Sequence, residues 1–126
     1  MNIYIGHSRE LNYKEALYAP IRKSRLNAEH TITLPHEAHE DASDFLTKDI
    51  IKACDVVVAE VSFPATGLGI ELGWADAFGR PIICAYRTGS RISNSLNVIC
   101  KTFIEYADAD DLINKLEDAL KTLKRG

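Results

Sequence analysis

One glutamate, Glu71, follows a glycine-rich loop and has the surroundings of a reactive carboxylate. The loop before it contains Pro64, Thr66, Gly67 and Gly69. Glycines let a ligand approach the backbone closely, and the free N–H groups at the start of a helix point outward toward it. We place Glu71 in the first helical turn, where the helix dipole favours an ionised carboxylate. Such a group can act as a nucleophile or stabilise a cation, although acidic residues are common in first turns without any function.

The glycines of residues 67–73 also resemble the phosphate-binding fingerprint of dinucleotide-binding proteins. We reject that interpretation because the motif follows the third predicted strand rather than the first. The loop before it is also too long for a tight turn, and Arg87 lies where an acidic ribose-binding residue is expected. We therefore predict no cofactor.

Alternating strands and helices must position this segment. Short β-branched and aromatic runs predict strands at 2–5, 31–34, 55–59, 81–86 and 102–106. Apolar residues at helical spacing predict helices at about 12–25, 43–53, 67–79 and 110–123, with a short helix around 93–98. This alternation predicts an α/β fold: a doubly wound, flavodoxin- or Rossmann-like five-stranded parallel sheet flanked by helices. Residues 1–126 are expected to form one domain.

Ligands of doubly wound sheets bind beyond the carboxyl ends of the strands. Three predicted loops lie at that edge, namely 6–12, 60–67 and 87–94. Glu60 ends a strand there and is expected to bind substrate or to pair with Arg87. His36 and Glu37 follow the second strand and are candidates to contact a ligand. The substrate-binding candidates in the loops before Glu71 are Gly6, Ser8, Glu60, Pro64, Thr66, Gly67 and Gly69.

Residues 55–73 resemble the nucleoside 2-deoxyribosyltransferase family and its relatives, the deoxynucleoside monophosphate N-glycosidases. The match consists of an Asp-Val-Val-Val-Ala-Glu-Val strand, a Pro-x-x-Gly-x-Gly loop and Glu-Leu-Gly opening a helix. It extends more loosely to residues 4–6, 79–84 and 93–95, and the order of elements agrees across nearly the whole chain.

The resemblance implies an enzyme in which Glu71 attacks the anomeric carbon of a (deoxy)nucleoside or nucleoside monophosphate. A covalent glycosyl-enzyme would form as the base leaves, and water or a second base would resolve it. Tyr4 occupies the place of the family's carboxylate-holding tyrosine; otherwise it is an ordinary strand aromatic. Asn94 and Ser95 match polar residues that reach a neighbouring subunit's sugar or phosphate, unless Ser95 only caps a helix. A homodimer or higher homo-oligomer with a shared site is therefore expected.

Two positions depart from the family pattern. The family has an aspartate that helps to protonate the leaving base eight residues before the Asp-Val-Val strand, where this chain has Thr47. Asp49 and Asp44 lie near that position, and we prefer Asp49 as the catalytic acid. The second departure is Ala65, which replaces a serine in the nucleosidase relatives and an aspartate in the transferases.

Ala65 leaves the polar contacts of the substrate to other side chains. Thr66, Ser8 and Arg91 are candidates to supply them. The sequence therefore leaves open the base and the sugar, the choice between nucleoside and monophosphate, and the choice between transfer and hydrolysis.

Net charge and composition limit the classes of partner and the cellular location that we expect. The net charge of −3 gives no basic surplus for a nucleic-acid polymer or a membrane surface. No apolar run reaches the ~18 residues of a membrane span, and Met1 leads directly into a strand, so we expect a cytoplasmic protein. The three cysteines form no C-x-x-C pair, and the histidines at 30, 36 and 39 match no zinc spacing. We predict no metal site.

Two other functions remain compatible with the sequence. The threonine at 47 and the alanine at 65 fit a non-catalytic nucleotide-binding or signalling module on the same fold. A flavodoxin-like domain that binds a phosphate ligand without glycosidic chemistry is the third interpretation, because one fold carries many functions.

Overall fold

The computed structural model describes residues 1–37 and 44–125, which form a five-stranded parallel sheet flanked by helices. The strands β1 to β5 are Asn2–His7, Thr31–Thr33, Val56–Glu60, Ile82–Arg87 and Thr102–Tyr106. The helices α1 to α5 are Ala19–Lys23, Arg25–Glu29, Asp44–Ala53, Thr66–Ala77 and Ala109–Arg125. A π-helical turn at Lys14–Tyr18 precedes α1, and a 3₁₀ helix at Asn94–Val98 precedes β5. The predicted fold class is confirmed.

The strand order is β2-β1-β3-β4-β5, and every neighbouring pair is parallel. This is the flavodoxin-like order, in which the direction of winding reverses between β1 and β3. The loops after these two strands therefore diverge to opposite faces of the sheet and leave a crevice at their carboxyl ends. That crevice is where a doubly wound sheet binds its ligands.

Alternation along the strands divides the core into two layers. Ile3, Ile5 and Val58 belong to a buried cluster that includes residues of α1, α2 and α5. Tyr4 and Val57 point to the opposite face, where α3 and α4 complete the second cluster. Tyr4 consequently lies on the same side of the sheet as α4, the helix that carries Glu71.

The first predicted helix is interrupted. Residues 12–25 were expected to form one helix weakened at Pro20, but Pro20 lies in the first turn of α1, where a missing N–H costs little. The break falls instead at Ser24, whose ψ of 166° is extended and separates α1 from α2. The Ser24 hydroxyl donates to the Ile21 carbonyl at 2.7 Å and so satisfies an acceptor at the end of α1.

The later helices agree with their predicted bounds within two residues. Gly79 follows α4 with a positive φ of 71°, as expected of a glycine that ends a helix. Across the two described ranges, no helix is both long and apolar enough to span a membrane.

Candidate active site

A cleft of about 440 Å³ opens at the carboxyl ends of β1 and β3, where the strand order reverses. We call it the Glu71 cleft. Residues at or just after the ends of three strands form its walls, together with one residue of α3 and three of α4. They are His7, Ser8, Arg9, Glu10, Pro35, His36, Thr47, Pro64, Ala65, Gly67, Leu68 and Glu71. The predicted ligand edge of the sheet therefore holds a cavity of the size expected for a small-molecule site.

Tyr4 holds the Glu71 carboxylate. The Tyr4 hydroxyl donates to Glu71 Oε2 at 2.7 Å, across 67 residues of sequence. Tyr4 is only 1% exposed, and burial raises the pKa of its phenol above the usual range, with the charge of Glu71 acting in the same direction. The phenol therefore stays protonated near neutral pH and keeps donating. The predicted pairing of Tyr4 with Glu71 is present in the structure.

Glu71 does not lie in the first turn of its helix. Helix α4 begins at Thr66, which makes Glu71 its sixth residue and leaves no acidic residue in the first turn. The helix dipole therefore does little to stabilise the ionised Glu71 carboxylate, because its effect falls off within one turn. The hydrogen bond from Tyr4 takes over the role of fixing the carboxylate.

Gly6 lets the carboxylate approach the sheet. A Cβ atom at Gly6 would lie 2.9 Å from Glu71 Oε1, closer than real Cβ contacts, and 3.0 Å from Leu68 Cδ1, closer than most of them. Gly6 was predicted to bind substrate, but its clearest role is to leave room for Glu71. By contrast, a Cβ at Gly67 or Gly69 would meet no atom within 4 Å. Gly67, which lines the cleft, thus adds open space for a ligand rather than relieving a clash.

The start of α4 faces the cleft without a side-chain cap. Ala65 is extended, with φ −154° and ψ 135°, and makes no side-chain hydrogen bond to the helix. Pro64 and Gly67 line the cleft as predicted, whereas Thr66 is exposed and outside the lining. Backbone N–H groups at such a terminus are suited to an anionic or polar ligand group.

The wall of the Glu71 cleft that α3 contributes differs from the prediction. Thr47 is 7% exposed, lines the cleft, and slightly opposes the rise in the pKa of the nearby Tyr4 phenol. Asp49 is exposed and is not among the lining residues, because two residues turn a helix by about 200°. The structure therefore does not support Asp49 as the catalytic acid. The side chain of Asp44, the alternative, lies outside the described residues.

Glu60 is committed to internal hydrogen bonds. It is 2% exposed and accepts from the Ser62 backbone N–H at 2.6 Å, the Ser62 hydroxyl at 2.9 Å and the Tyr106 hydroxyl. It is absent from the lining of the Glu71 cleft. The expected substrate contact is thus corrected: Glu60 ties the loop after β3 to β5. Arg87 contacts the Tyr106 phenol and lowers its pKa against the larger, raising effect of burial.

A second, mostly apolar cavity of about 230 Å³ adjoins the first across Pro64 and Ala65. Gly69 and Ser95 line this cavity rather than the Glu71 cleft, and Asn94 lines neither of them. The 3₁₀ helix is capped by Ser93, which accepts from the Ser95 N–H at 3.2 Å, so Ser95 is not the cap. A role for Asn94 and Ser95 in a neighbouring subunit stays a prediction.

His7 and Arg9 are among the lining residues that sequence reasoning missed. Their position within residues 6–12, predicted to form a loop at the ligand edge, was the available signal. Among residues 1–37 and 44–125, no three His, Cys, Asp or Glu side chains are grouped so as to hold a metal ion. His39 of the histidine cluster considered above lies outside the described residues.

Two curated relatives are named as N-hydrolases. The mouse 5-hydroxymethyl-dUMP N-hydrolase is 52% identical over 40 residues, which cover 32% of this chain and 23% of that protein. The zebrafish (Danio rerio) 5-hydroxymethyl-dUMP N-hydrolase is 29% identical over an alignment of 143 positions that covers 99% of each chain. The chain is a homologue of these nucleotide N-hydrolases. The resemblance predicted from residues 55–73 is thereby confirmed.

The extent of these matches is uneven. The alignment with the mouse N-hydrolase spans less than a quarter of that relative's length. No family model matches the chain. The activity and substrate of this N-hydrolase homologue are therefore matters for proposal.

Two solved structures share the fold of this N-hydrolase homologue. The CMP N-glycosidase BcmB of Clostridium botulinum superposes with a TM-score of 0.63 at 22% identity, covering 93% of this chain and 99% of that one. The 2-deoxyribosyltransferase of Bacillus psychrosaccharolyticus gives a TM-score of 0.64 at 20% identity, covering 90% and 91%. At these identities the likeness establishes the fold alone.

Proposed function

We propose that this protein hydrolyses the N-glycosidic bond of a 2′-deoxynucleoside 5′-monophosphate through a covalent glycosyl–Glu71 intermediate. The observation that carries the proposal is the Glu71 carboxylate, held by Tyr4 at 2.7 Å in a cleft at the sheet's reversal point. The names of the N-hydrolase homologues support cleavage of this bond. The covalent step is our inference from the geometry and from retaining glycoside chemistry.

In the first step, a Glu71 carboxylate oxygen attacks C1′ of the sugar. The C1′–N bond breaks, and its electron pair goes to the nitrogen of the base, which takes up a proton. In the second step, a water oxygen attacks C1′ and loses a proton to the protein. The C1′–O bond to Glu71 then breaks, which regenerates the carboxylate and releases 2-deoxyribose 5-phosphate.

Tyr4 orients the carboxylate throughout this cycle. A hydrogen bond to an ionised acceptor is stronger than a neutral one, so the Tyr4–Glu71 bond is strongest when Glu71 is free to attack. As the ester forms, the negative charge disappears and the bond weakens. Tyr4 thus favours return to the free carboxylate and supports the second step.

We propose His36, rather than Asp49, as the proton donor to the leaving base. His36 lines the Glu71 cleft, and its backbone N–H donates to the Tyr18 hydroxyl at 3.0 Å, which fixes the loop that carries it. An imidazole can donate and then accept a proton near neutral pH, as the two steps require. Thr47, in the position of the family's aspartate, cannot supply a proton of comparable acidity.

A 5′-phosphate fits the polar groups at the cleft. Arg9 and Ser8, which follow β1, line the same cleft as the uncapped start of α4. A positive side chain and backbone N–H groups are a suitable combination for a phosphate. Ala65 removes the family's side-chain contact but leaves these groups in place.

Base release from a panel of substrates tests the proposal. Deoxyribo- and ribonucleosides and their 5′-monophosphates would be incubated with the protein and analysed by chromatography for free base. We expect release from deoxynucleoside monophosphates, faster than from the matching nucleosides. Glu71→Gln should abolish it, whereas the matched control Glu60→Gln, a substitution outside the cleft, should not. Absence of release from every substrate, or activity in Glu71→Gln equal to wild type, would refute the hydrolase.

The proton donor has a separate test. A 7-methylguanine deoxynucleotide expels an uncharged base and needs no acid, whereas an ordinary purine nucleotide does. His36→Gln should slow the ordinary substrate by about 10²-fold and the methylated one little. His30→Gln, the same change at a histidine beside the N-terminal amine, is the control. An equal effect of His36→Gln on both substrates would exclude His36 as the donor.

A non-catalytic nucleotide-binding module is the second candidate, favoured by Thr47 in place of the acid. Thermal stabilisation by deoxynucleotides without base release would support it.

We further propose that residues 1–126 act as one domain, in a cytoplasmic homo-oligomer that shares its sites through Asn94 and Ser95. Light scattering that gives a monomeric mass at working concentration would contradict the shared site.

A further inference from the structure

A chain of directed hydrogen bonds connects His7 to the loop that carries His36. His7 Nδ1 lies 2.9 Å from the Ser8 carbonyl oxygen, which can only accept, so Nδ1 carries the proton. Nε2 of the neutral ring must then accept, and the Tyr18 hydroxyl donates to it at 2.6 Å. The Tyr18 oxygen in turn accepts from the His36 backbone N–H at 3.0 Å. Each group in this series of hydrogen bonds therefore has one consistent role as donor or acceptor.

The π-helical turn explains how Tyr18 reaches His7. An i→i+5 turn brings residues five positions apart to one side, whereas five residues of an α-helix turn by about 500° and point apart. Tyr13, which precedes the turn, stacks on His7 with ring centroids 4.6 Å apart, and Tyr18 meets the same ring edge-on at 5.2 Å. The His36 ring also lies edge-on to His7, at 5.4 Å. Such turns are frequent at functional sites.

The surroundings keep His7 and Tyr18 in the protonation states that these hydrogen bonds require. Burial lowers the pKa of His7, and the neighbouring His36 and Arg9 act in the same direction. Burial raises the pKa of Tyr18, and nearby Glu37 and Glu71 add to that effect. Near neutral pH, His7 is therefore an uncharged acceptor and Tyr18 an uncharged donor.

We infer that His7 and Tyr18 are positioning residues that hold residues 34–37 after β2, and with them His36, against the Glu71 cleft. Neither is assigned a proton transfer of its own. The side of the cleft that receives the leaving base thus depends on a network anchored at the end of β1. This inference rests on the proposed function for its kinetic consequence, but its structural content stands apart from it.

Amide hydrogen exchange tests the structural content without any substrate. Tyr18→Phe removes the hydroxyl that accepts from the His36 N–H, so exchange of that amide should accelerate by about tenfold or more. Tyr13→Phe is the matched control, because it removes a hydroxyl from the neighbouring stacked ring and leaves the network intact. Nitrogen NMR should also show His7 protonated at Nδ1 alone. An unchanged His36 amide in Tyr18→Phe, or a His7 proton at Nε2, would overturn the inference.

Kinetics test the consequence for the reaction. Tyr18→Phe should lower kcat on a deoxynucleotide that needs a proton donor by about tenfold, and change kcat on the 7-methylguanine deoxynucleotide less than twofold. His7→Gln retains an acceptor for the Tyr18 hydroxyl and should keep more activity than His7→Leu. A merely structural role would slow both substrates alike, and that result would overturn the positioning role.

The two proposals fail in different ways. If wild type releases no base from any substrate, the hydrolase is refuted, while the exchange and NMR measurements still decide whether Tyr18 holds the loop. If wild type is active and Tyr18→Phe equals it in both exchange and kcat, the positioning inference alone is refuted.

Discussion

Two glutamate side chains at the carboxyl ends of the strands each accept a hydrogen bond from a tyrosine. One of them is enclosed by internal donors, and the other lines a cavity. Tyr4 donates to Glu71 at the cleft, and Tyr106 donates to Glu60 on the other side of β3. Glu60 also accepts two hydrogen bonds from Ser62 and is 2% exposed, whereas Glu71 lines a cavity of about 440 Å³. The same pair of residue types thus serves as a structural tie in one place and as a candidate nucleophile in the other.

The difference comes from the backbone around each carboxylate. Gly6 lacks the side chain that would lie 2.9 Å from Glu71 Oε1, so that carboxylate reaches the strand ends while still facing the cleft. Ser62 instead folds its N–H and hydroxyl back onto Glu60 two residues earlier. A carboxylate surrounded by internal donors stabilises the loop, and one at a cavity wall is available to a substrate.

The largest expected effect separates the two carboxylates directly. Glu71→Gln should lower kcat/KM for deoxynucleotide hydrolysis by on the order of 10³-fold or more, because an amide cannot attack C1′. Steady-state base release measures it. Glu60→Gln should remain within about threefold of wild type in this assay. If kcat/KM fell by a similar factor in both variants, the different surroundings of Glu71 and Glu60 would not separate a catalytic from a structural carboxylate.

Gly6→Ala should reduce kcat/KM by about 10²-fold, since the new methyl group displaces the Glu71 carboxylate and a shift of about 1 Å can cost that much. Gly73→Ala on α4 is the control, because a Cβ there meets no atom within 4 Å. The control should keep its activity and gain about 0.5–1 kcal/mol of stability from its better helix propensity. Full activity in Gly6→Ala would mean that the carboxylate has another acceptable position.

Tyr4→Phe should lower kcat by roughly tenfold, because the donor that orients Glu71 is lost while the ring still fills the core. KM should change little, since Tyr4 lies beneath the cleft rather than in its lining. Initial rates over a substrate series separate the two constants. An unchanged kcat would remove Tyr4 from the account of how Glu71 is oriented.

Glu60→Gln should destabilise the protein by about 1–3 kcal/mol, because the amide places a donor where Tyr106 and Ser62 already donate. Urea unfolding at neutral pH measures the free energy of unfolding. If Glu71→Gln lowered the free energy of unfolding more than Glu60→Gln does, the expected contrast between the cleft residue and the structural residue would be reversed.

Asp49→Asn should have the smallest effect, less than twofold in kcat and within about 0.5 kcal/mol in stability, because Asp49 is exposed and outside the cleft. Chromatographic rates and thermal melts check both quantities. A loss of 10²-fold in kcat would restore Asp49 as the catalytic acid and exclude the assignment to His36.

Local patterns predicted the strands and most helices, and the family resemblance predicted the pairing of Tyr4 with Glu71, but the partners of other side chains were not predicted. Periodicity located all five strands, and the apolar run at 55–59 correctly predicted a strand buried on both faces, Val56–Glu60. The role of Glu60 was unpredictable because Tyr106, its partner, is 46 residues away. The pairing of His7 with Tyr18 was missed because it depends on a π-helical turn that has no clear sequence signature.

The departures from the family pattern were visible in the sequence, but their consequence required the structure. Thr47 occupies the predicted position of the acid and turns its side chain into the cleft, which leaves Asp49 on the exposed side of α3. A separation of two residues along α3, which is a rotation of about 200°, decides between these outcomes. The break of the first helix at Ser24 was missed for a related reason, since serine is compatible with helix and extended backbone alike.

Mass spectrometry of the protein and of its proteolytic peptides tests the central claim most directly. The protein would be mixed with a 2′-fluoro-substituted deoxynucleoside monophosphate, whose fluorine slows hydrolysis of the intermediate, and quenched in acid. We predict an added sugar phosphate on the peptide that contains Glu71, and none in Glu71→Gln. Release of base without any adduct, or an adduct on another residue, would contradict the covalent role of Glu71.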